Sequence, residues 1–373
     1  MGAADLGEAL ATAGRIEPGR YDQWHEEWAA TAARAEQAGD RAAGLGLTAL
    51  AGPAYLRASE YWRQSYFFLR RDVTAAPLRP AYLRHRDLFR RALPFLAGAV
   101  EPVTIPFDPV PLNGYLFRPV RDDPSPRPTV LFPDGFDSTC EEMYKYGAHA
   151  ALAMGWNALT WDGPGQGAQL IEHGVAMRPD FEGVTTAVLD WVLDQPGVAP
   201  GTVAMVGRSL GGYLAPRGAS GETRLRALVC DPGQFDFTSR FVSMFSGDDW
   251  QRVLDADPVM DAQLEGFLGD DRSAEFYGSR MTAMGATSFG DWLRLLGRYS
   301  LAGRAELITC PTLVTEGEGD FASQSQKLFD ALTCPKWYHG FTAAEGAGGH
   351  CEGMGQQLWR DQVCAWLSDQ VDA

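Results

Sequence analysis

The sequence predicts an α/β fold in which a mostly parallel, twisted sheet carries helices on both faces, and two observations support this. From about residue 102, short apolar runs alternate with segments long enough to form a helix, and strands that alternate with helices build parallel sheets. One run, residues 202–206, leads through the residues GRSLG at 207–211 into a helical stretch, which is the pattern of a sharp strand-to-helix turn. Ligands bind at the carboxyl ends of the strands in such sheets, so the residues after each run are the functional candidates.

The predicted sheet begins with an antiparallel pair and continues with parallel strands. The antiparallel pair is expected at residues 102–107 and 113–119, around a proline-rich turn. The parallel strands are expected at residues 128–133, 157–161, 202–206, 227–230, 310–315 and 335–340. Residues 235–306 are too many for one crossover, so we expect a helical insertion that helps to cover the site. Trp250 and Trp292 in this insertion are candidates for the wall of a substrate pocket.

The N-terminal part of the chain, residues 1–97, is predicted to be a helical region without strands, and residues 98–373 are predicted to form the core. Helices are expected at 21–36, 55–71 and 83–93. The segment YLRASEYWRQSYFFLRR at 55–71 is rich in aromatic residues, and such a stripe usually packs in a core. The alternative is that Trp62, Tyr66 and Phe67 line a substrate pocket, because organic ligands are commonly bound by aromatic walls.

Composition and charge narrow the class of protein. The chain has 373 residues, of which 45% are hydrophobic, and a formal net charge of -16. This charge argues against nucleic-acid and anionic-membrane partners, and a small organic molecule is the expected partner, with a homodimer as a further candidate assembly. The N-terminal residues lack a signal-peptide pattern and no apolar run is long enough to span a bilayer, so a cytoplasmic location is expected.

The sequence gives no pattern for a cofactor or a metal. Six cysteines are scattered without C-x-x-C spacing, so no zinc site or disulfide framework is expected. The glycine-rich run WDGPGQG at 161–167 lacks the spacing of a dinucleotide site and is expected to be a tight turn. Asp162 in this run is expected to brace neighbouring loops.

Ser209 is the predicted nucleophile, at the tip of the strand-to-helix turn. A serine hydroxyl needs a base to take its proton and an acid to orient that base. In this type of sheet the chain order is nucleophile, acid, histidine. His350 lies in a glycine-rich loop beyond the last predicted strand, whereas His339 lies inside that strand. His350 is therefore the predicted base.

Asp320 is the predicted acid, because it closes the segment EGEGD directly after the strand at 310–315. Glu316 and Glu318 in the same segment compete for this role. Asp320 could instead be a carboxylate that caps the loop. Cys351 follows the predicted base, but adjacent side chains point in different directions and we expect it to pack in the interior.

Two backbone amides are predicted to hold the oxyanion, those of Leu210 and Phe136. Leu210 follows the nucleophile, and Phe136 lies in the loop DGFDST at 134–139 after the strand at 128–133. Asp137 in this loop is a candidate for orienting the substrate, or for donating a proton if burial raises its pKa. The alternative for Asp137 is a helix N-cap or turn residue.

These segments together resemble the α/β-hydrolase fold. The residues GRSLGGY, the D-G-P-G-x-G turn, the loop DGFDST followed by two glutamates, and EGEGD followed by AEGAGGH are similar to the branch containing dihydroxypseudooxynicotine hydrolase and the fungal hydrolases that shorten polyketide chains. The likeness covers residues from about 50 to 370 and includes the aromatic segment at 55–71. It implies that residues 1–97 pack over the sheet as a cap.

The resemblance also implies an activity and its residues. Members of this branch are serine hydrolases that cut carbon–carbon bonds next to a ketone. Matching motif to motif carries the nucleophile onto Ser209, the acid onto Asp320 and the base onto His350. The extra acidic residue of the oxyanion loop falls on Asp137, where members usually have glutamate, and Cys140 stands where they usually have lysine.

The predicted function is therefore hydrolysis of a carbon–carbon bond next to a ketone through an acyl-enzyme. One alternative is an esterase, a lactonase or a cyclase that closes a lactone or lactam, because these reactions share the acyl-enzyme step. A second alternative is a binding protein on a hydrolase scaffold. The presence of all three predicted triad residues argues against it.

Overall fold

The fold is described here from a computed structural model that covers residues 3–96, 98–120, 123 and 125–372. Residue 97, where the predicted boundary falls, lies outside the described residues. The strands β1 to β8 are Ala99–Ile105, Leu112–Arg118, Arg127–Pro133, Asn157–Trp161, Val198–Arg208, Ala227–Asp231, Thr312–Gly317 and Lys336–Phe341. They form one sheet in the order β1-β2-β4-β3-β5-β6-β7-β8. β1 pairs with β2, and β2 with β4, in antiparallel fashion, and the other neighbours are parallel. The predicted mostly parallel sheet with an antiparallel start is confirmed.

Helices precede, separate and follow these strands. In the described part of the chain, α1 to α15 are Leu6–Ala13, Tyr21–Gly44, Thr48–Ser65, Leu78–Ala92, His149–Met154, Gly167–Ile171, Phe181–Leu193, Gly211–Ala219, Ser239–Val242, Gly247–Leu254, Pro258–Leu264, Asp271–Met284, Phe289–Leu296, Ser325–Ala331 and Gln356–Val371. Within that part, none of the helices has both the length and the apolar character needed to cross a bilayer.

Helices cover both faces of the sheet, which explains why the predicted strands are continuous apolar runs. In β5, Val203 and Met205 are fully buried in a cluster with α7, α8 and α13. The alternate residues Ala204 and Val206 lie in a second cluster with α2 to α4 and α15. The sheet is therefore the middle layer of three.

The N-terminal helices α1 to α4 contain the predicted helical segments but with different ends. The helix predicted at 21–36 extends to Gly44, and the one predicted at 55–71 begins at Thr48 and ends at Ser65. Trp24 fastens α2 to the end of α3, because its Nε1 donates to the Gln64 carbonyl at 2.7 Å. Beyond α3 the chain turns at residues 66–72.

The predicted insertion at 235–306 is a group of short helices, α9 to α13. An isolated antiparallel bridge joins Asp236 to Ser300, so the segment leaves and rejoins the core at one place. Its aromatic side chains pack on one another. For example, the rings of Tyr277 and Trp292 are 5.6 Å apart. The insertion therefore has an aromatic interior of its own, which continues into the cluster on one face of the sheet.

Candidate active site

Ser209 lies at a sharp turn between β5 and α8. Its φ of 55° falls in the left-handed region, which is unfavourable for a residue with a side chain. The turn is possible because its neighbours have no side chains: a Cβ at Gly207 would lie 1.9 Å from the Gly211 carbonyl oxygen, and one at Gly212 would lie 2.0 Å from that of Pro232. The Ser209 amide donates to the Asp231 carbonyl at 2.7 Å. The turn thus presents the hydroxyl at the carboxyl end of β5.

The structure brings Ser209, His350 and Asp320 together from three separate strand ends. Ser209 Oγ lies 2.9 Å from His350 Nε2. His350 Nδ1 lies 2.8 Å and 3.0 Å from the two carboxylate oxygens of Asp320. This is the geometry in which an imidazole can take a proton from a hydroxyl while a carboxylate orients it.

Asp320 is held as a carboxylate although its side chain is fully buried. Burial raises the pKa of Asp320, but hydrogen bonds from His350 and from two backbone amides outweigh it and bring the pKa below its ordinary value. The amides of Ala322 and Cys351 donate to it at 2.8 Å and 3.0 Å. The three donors fix the carboxylate in the orientation that the imidazole requires.

The competing candidates lie outside this arrangement. Glu316 accepts hydrogen bonds from the hydroxyls of Tyr338 and Ser323, and Glu318 accepts one from the Ala343 amide at 2.8 Å. His339 lies in β8, with its ring 4.4 Å from that of Phe341. None of the three contacts Ser209 or His350.

The amides of Phe136 and Leu210 are free to bind an oxygen. Neither has a hydrogen-bond partner among the described residues, and both residues line the cavity that contains Ser209. A Cβ at Gly135 would lie 3.3 Å from Ser209 Cβ, so the loop closely approaches the serine. Both residues therefore line the same cavity as Ser209, and the loop that carries Phe136 approaches the serine closely.

Sequence reasoning missed the residue that holds this loop, Gln166. Its Nε2 donates to the carbonyls of Asp134 and Gly135 at 2.7 Å and 2.9 Å. Asp162, in the same glycine-rich run, accepts from the amides of Cys140 and Ala168 at 2.8 Å and 2.7 Å, which is the bracing predicted for it. The missed signal was the glutamine in WDGPGQG, a long polar side chain directly after a strand.

Asp137 lines the cavity as a paired carboxylate. Arg70 Nη1 lies 2.5 Å from its Oδ1, and Arg280 Nη2 lies 3.7 Å from its Oδ2. Burial acts to raise the pKa of Asp137, but the two arginines outweigh it and the pKa is lowered. The condition set for proton donation, a pKa raised by burial, is therefore not met, because the charged form is the favoured one. The carboxylate is bound by these side chains and not by a helix N-terminus, whereas the backbone of Asp137 does lie in a bend, as the turn alternative expects.

The cavity has a volume of about 210 Å³ and opens above Ser209. Its wall is mostly aromatic and is contributed largely by the insertion and the loops around the site: Phe136, Phe237, Phe241, Phe276, Tyr277, Trp292 and Phe321. Of the predicted wall residues, only Trp292 lines it. The insertion therefore covers the site, as predicted. Apart from Trp292, the residues with which it does so could not be picked out from the sequence.

The other four predicted wall residues face elsewhere. Trp62 packs among the N-terminal helices. The Tyr66 ring lies 6.1 Å from that of Tyr82, and Tyr66 lines a separate, smaller cavity that also has Phe136 and Asp137 in its wall. Phe67 lies under the Arg70 guanidinium at 4.2 Å, and Trp250 packs 5.7 Å from Phe245. These residues do not line the cavity above Ser209 because α3 ends at Ser65 and its aromatic face meets α2 and α4, and because Trp250 packs within the insertion.

Arg208, next to the nucleophile, holds the segment that carries His350. Its Nε donates to Asp231 Oδ2 at 2.7 Å and its Nη1 to Gln356 Oε1 at 2.6 Å. Its Nη2 donates to the Cys351 carbonyl at 2.8 Å and to Glu352 at 3.0 Å. Burial and the neighbouring Asp231 raise the pKa of Glu352 to about 10, because two buried carboxyl groups share one guanidinium. These partners of Arg208 are distant in the sequence, and no local pattern marks them.

Cys351 is half-buried beside the site. Its Sγ lies 3.7 Å from His350 Nε2 and 3.6 Å from the Asp231 carbonyl oxygen. Burial raises the pKa of this thiol well above its ordinary value, which keeps it protonated and unreactive. Packing, as predicted, is its role here.

Comparisons with known proteins show the family to which the chain belongs. The family model described as X-Pro dipeptidyl-peptidase (S15 family) matches residues 108–352, more than half of the chain. Hydrolase LUC6 of Fusarium sp is 31% identical over 98% of this chain and 92% of its own length. The 20-hydroxy-prefusarin hydrolase FUS2 of Gibberella moniliformis is 33% identical over 88% of this chain and 82% of its own.

Solved structures share the architecture over nearly the whole chain. The crystal structure of 2,6-dihydroxy-pseudo-oxynicotine hydrolase superposes with a TM-score of 0.76 at 21% identity, covering 99% of this chain and 94% of its own. AbyA5 superposes with a TM-score of 0.66 at 16% identity, covering 98% and 90%. At these identities the likeness concerns the fold, and its coverage takes in the N-terminal helices as well as the sheet.

Proposed function

The chain belongs to the S15 family and is an α/β hydrolase, and from this premise we propose that it is a serine hydrolase that acts through an acyl-enzyme. The observation that carries the proposal is the chain of contacts from Ser209 Oγ through His350 to Asp320, at 2.9 Å and 2.8 Å. It lies at one end of a cavity whose wall is largely aromatic. Nucleophile, base and orienting acid are what an acyl transfer requires.

In the proposed reaction, Ser209 attacks a ketone carbonyl while His350 Nε2 takes the hydroxyl proton. The amides of Phe136 and Leu210 donate to the oxyanion of the tetrahedral intermediate. The bond to the neighbouring carbon then breaks, and its electron pair leaves on that carbon as a stabilised carbanion, which takes the proton from the His350 imidazolium. Water, deprotonated by His350, attacks the acyl-serine ester and releases a carboxylic acid and the free serine.

The proposed substrate is a β-dicarbonyl or aryl ketone of secondary metabolism or catabolism. The resemblance to carbon–carbon hydrolases supports this, as does the aromatic wall, which suits a planar organic molecule. The relative FUS2 is named for 20-hydroxy-prefusarin, and the structural neighbour for 2,6-dihydroxy-pseudo-oxynicotine. Ester or lactone hydrolysis and intramolecular ring closure use the same acyl-serine and differ in the bond that is broken or in the group that resolves the ester.

The acyl-serine is tested by replacing Ser209. We expect Ser209→Ala to lose turnover by about a million-fold, because the nucleophile and its base act as a unit. A fluorophosphonate probe should label the wild-type protein at Ser209, and His350→Ala should abolish the labelling. Ser368→Ala, in α15, is the matched control and should be labelled like the wild type. Full turnover in Ser209→Ala would contradict the proposal.

The type of reaction is tested by following the products of a panel of 1,3-diketones, aryl ketones and esters in ¹⁸O-labelled water. Cleavage of a diketone with one ¹⁸O in the carboxylic acid supports carbon–carbon hydrolysis. Turnover of esters alone would support the esterase alternative. A cyclic product without ¹⁸O would show that an internal nucleophile resolves the acyl-serine.

A further inference from the structure

The acidic residues that line the cavity are already neutralised. Asp137 is paired with Arg70 at 2.5 Å, and Asp236 is paired with Lys327. Neither cation lines the cavity itself. Each carboxylate therefore has a positive partner before any ligand enters.

The basic residues that line the cavity are not neutralised in the same way. Within the described part of the chain, no carboxylate lies within 4.0 Å of Arg240, which donates to the Phe321 carbonyl at the rim. Arg280 lies 3.7 Å from Asp137, a carboxylate that already has a closer partner. Two aspartates and two arginines line the cavity. Because Arg70 and Lys327 behind the wall already pair with the aspartates, the arginines are left without a close counter-ion of their own among the described residues, although the chain has a net charge of -16.

Arg280, on α12, is fixed with two of its donor atoms free. Its guanidinium stacks on the Phe276 ring at 3.6 Å and lies 5.2 Å from the centre of the Phe136 ring. Its Nη1 donates to the Phe276 carbonyl at 2.7 Å and to Ser279 Oγ at 3.3 Å. Among the described residues, Nε and Nη2 have no hydrogen-bond partner. The side chain is only 17% exposed, so this cation has lost most of its water.

We infer that Arg280 binds an anionic oxygen of the substrate, a carboxylate or an enolate, and so selects for acidic organic molecules. A guanidinium with free donors binds such oxygens in a defined geometry, and the aromatic wall would hold the carbon skeleton. The inference rests on the proposed function, because it names the substrate class of the same site. The anionic oxygen should lie only a few bonds from the attacked carbonyl, since Phe136 contributes both an oxyanion amide and a ring beside Arg280.

The charge also distinguishes this cavity from one for a dipeptidyl-peptidase. A substrate of that kind presents a protonated α-amino group, which a carboxylate would have to bind. Here each lining carboxylate already has a close cation, and Arg240 and Arg280 also line the cavity, so a cationic amine would find no free carboxylate among them and would be repelled by the arginines. We therefore do not expect this member of the S15 family to act on peptides with a free amino terminus.

Binding of 2-naphthoate and 2-naphthamide, measured by titration calorimetry, tests the inference without turnover. We expect the wild-type protein to prefer the carboxylate, and Arg280→Gln to lose about 10- to 100-fold of that preference, as expected for hydrogen bonds to a charged group. Arg280→Lys should keep part of it. Arg79 is an exposed arginine of α4 that does not line the cavity. Arg79→Gln removes the same charge and should keep the full preference for naphthoate.

Turnover of 4-nitrophenyl valerate and of the monoester of 4-nitrophenol with glutaric acid gives a second readout. The ratio of kcat/KM for the acidic ester to that for the neutral ester should fall about 10- to 100-fold in Arg280→Gln. An unchanged naphthoate preference in Arg280→Gln would overturn the inference while leaving the proposed function intact. The proposed function would fail in a different way, with no ester turnover and no fluorophosphonate labelling despite an Arg280-dependent naphthoate preference.

Discussion

Asp320 is the residue whose role can be tested most narrowly, because its side chain is fully buried and bound by three donors. His350 Nδ1 needs an acceptor for its proton, which the Asp320 carboxylate supplies. An asparagine at this position would place the N–H of its amide against Nδ1 instead. The imidazole would then be held in the wrong tautomer. We expect Asp320→Asn to lower kcat about 10⁴-fold with a small change in KM, measured with a 4-nitrophenyl ester.

Glu318→Gln is the matched control for this substitution. Glu318 comes from the same segment, and its carboxylate accepts from the Ala343 amide outside the site. Its removal should leave kcat close to that of the wild type. Loss of turnover in Glu318→Gln together with normal turnover in Asp320→Asn would show that the acid has been assigned to the wrong residue.

At the scale of elements, the segment between β8 and α15 carries His350 in a strained backbone. Cys351 and Glu352 have φ values of 47° and 57°, in a region that costs a non-glycine residue on the order of 1 kcal/mol or more. Arg208 offsets this strain by binding the Cys351 carbonyl, the Glu352 carboxyl group and the Gln356 side chain together. The position of the imidazole thus depends on an arginine of the nucleophile turn.

Arg208→Lys should therefore separate positioning from binding. A lysine has one ammonium group and cannot reach all of these acceptors. We expect kcat to fall about 10- to 100-fold, the effect of a small misplacement of a reacting group, while KM changes little. The free energy of unfolding should fall by about 1 to 3 kcal/mol, because the ammonium keeps the charge but leaves buried acceptors without a hydrogen bond.

Arg226→Lys provides the comparison for Arg208→Lys. Arg226 also fastens α15, by donating to the Gln370 carbonyl at 2.6 Å, but at the other end of the helix from His350. Arg226→Lys should lower the free energy of unfolding slightly and leave kcat unchanged. If Arg208→Lys lowers the free energy of unfolding but leaves kcat unchanged, Arg208 stabilises the fold without positioning His350.

The elements themselves could be predicted because their signals are local. The strands inside the sheet are short apolar runs, and Ser209 and Asp320 follow two of them, while His350 follows the edge strand β8. What could not be predicted depends on packing. The contact of Arg208 with Glu352 joins residues 144 positions apart, and the direction of the α3 aromatics depends on α2 and α4. Arg280 belongs to an insertion with no pattern to mark it.

At the scale of the whole molecule, a buried cluster of charges fastens the N-terminal helices to the sheet layer. Arg63 in α3 lies 3.0 Å from Glu60 and 2.7 Å from Glu142, which follows the oxyanion loop. Lys145 lies 2.6 Å from Glu60. Burial acts to raise the pKa of Glu60, but Arg63 and Lys145 outweigh it and hold the pKa far below its ordinary value. Two acidic and two basic side chains therefore form a neutral buried cluster. Glu60 and Arg63 come from α3, and Glu142 and Lys145 come from the segment after β3.

This balance makes the docking of the helices depend on pH. A carboxylate with a lowered pKa stabilises the folded state fully above its unfolded value of 4.5, and that contribution is lost as the pH falls below it. We expect Glu60→Gln to lower the free energy of urea unfolding by about 3 kcal/mol at pH 7, since one partner of a buried pair is removed. The difference from the wild type should shrink steadily between pH 4.5 and pH 3.

Glu101→Gln is the control. It breaks the exposed pair with Arg118 and should change the free energy of unfolding by less than about 1 kcal/mol. A Glu60→Gln difference that stays constant down to pH 3 would mean that the cluster does not hold Glu60 ionised.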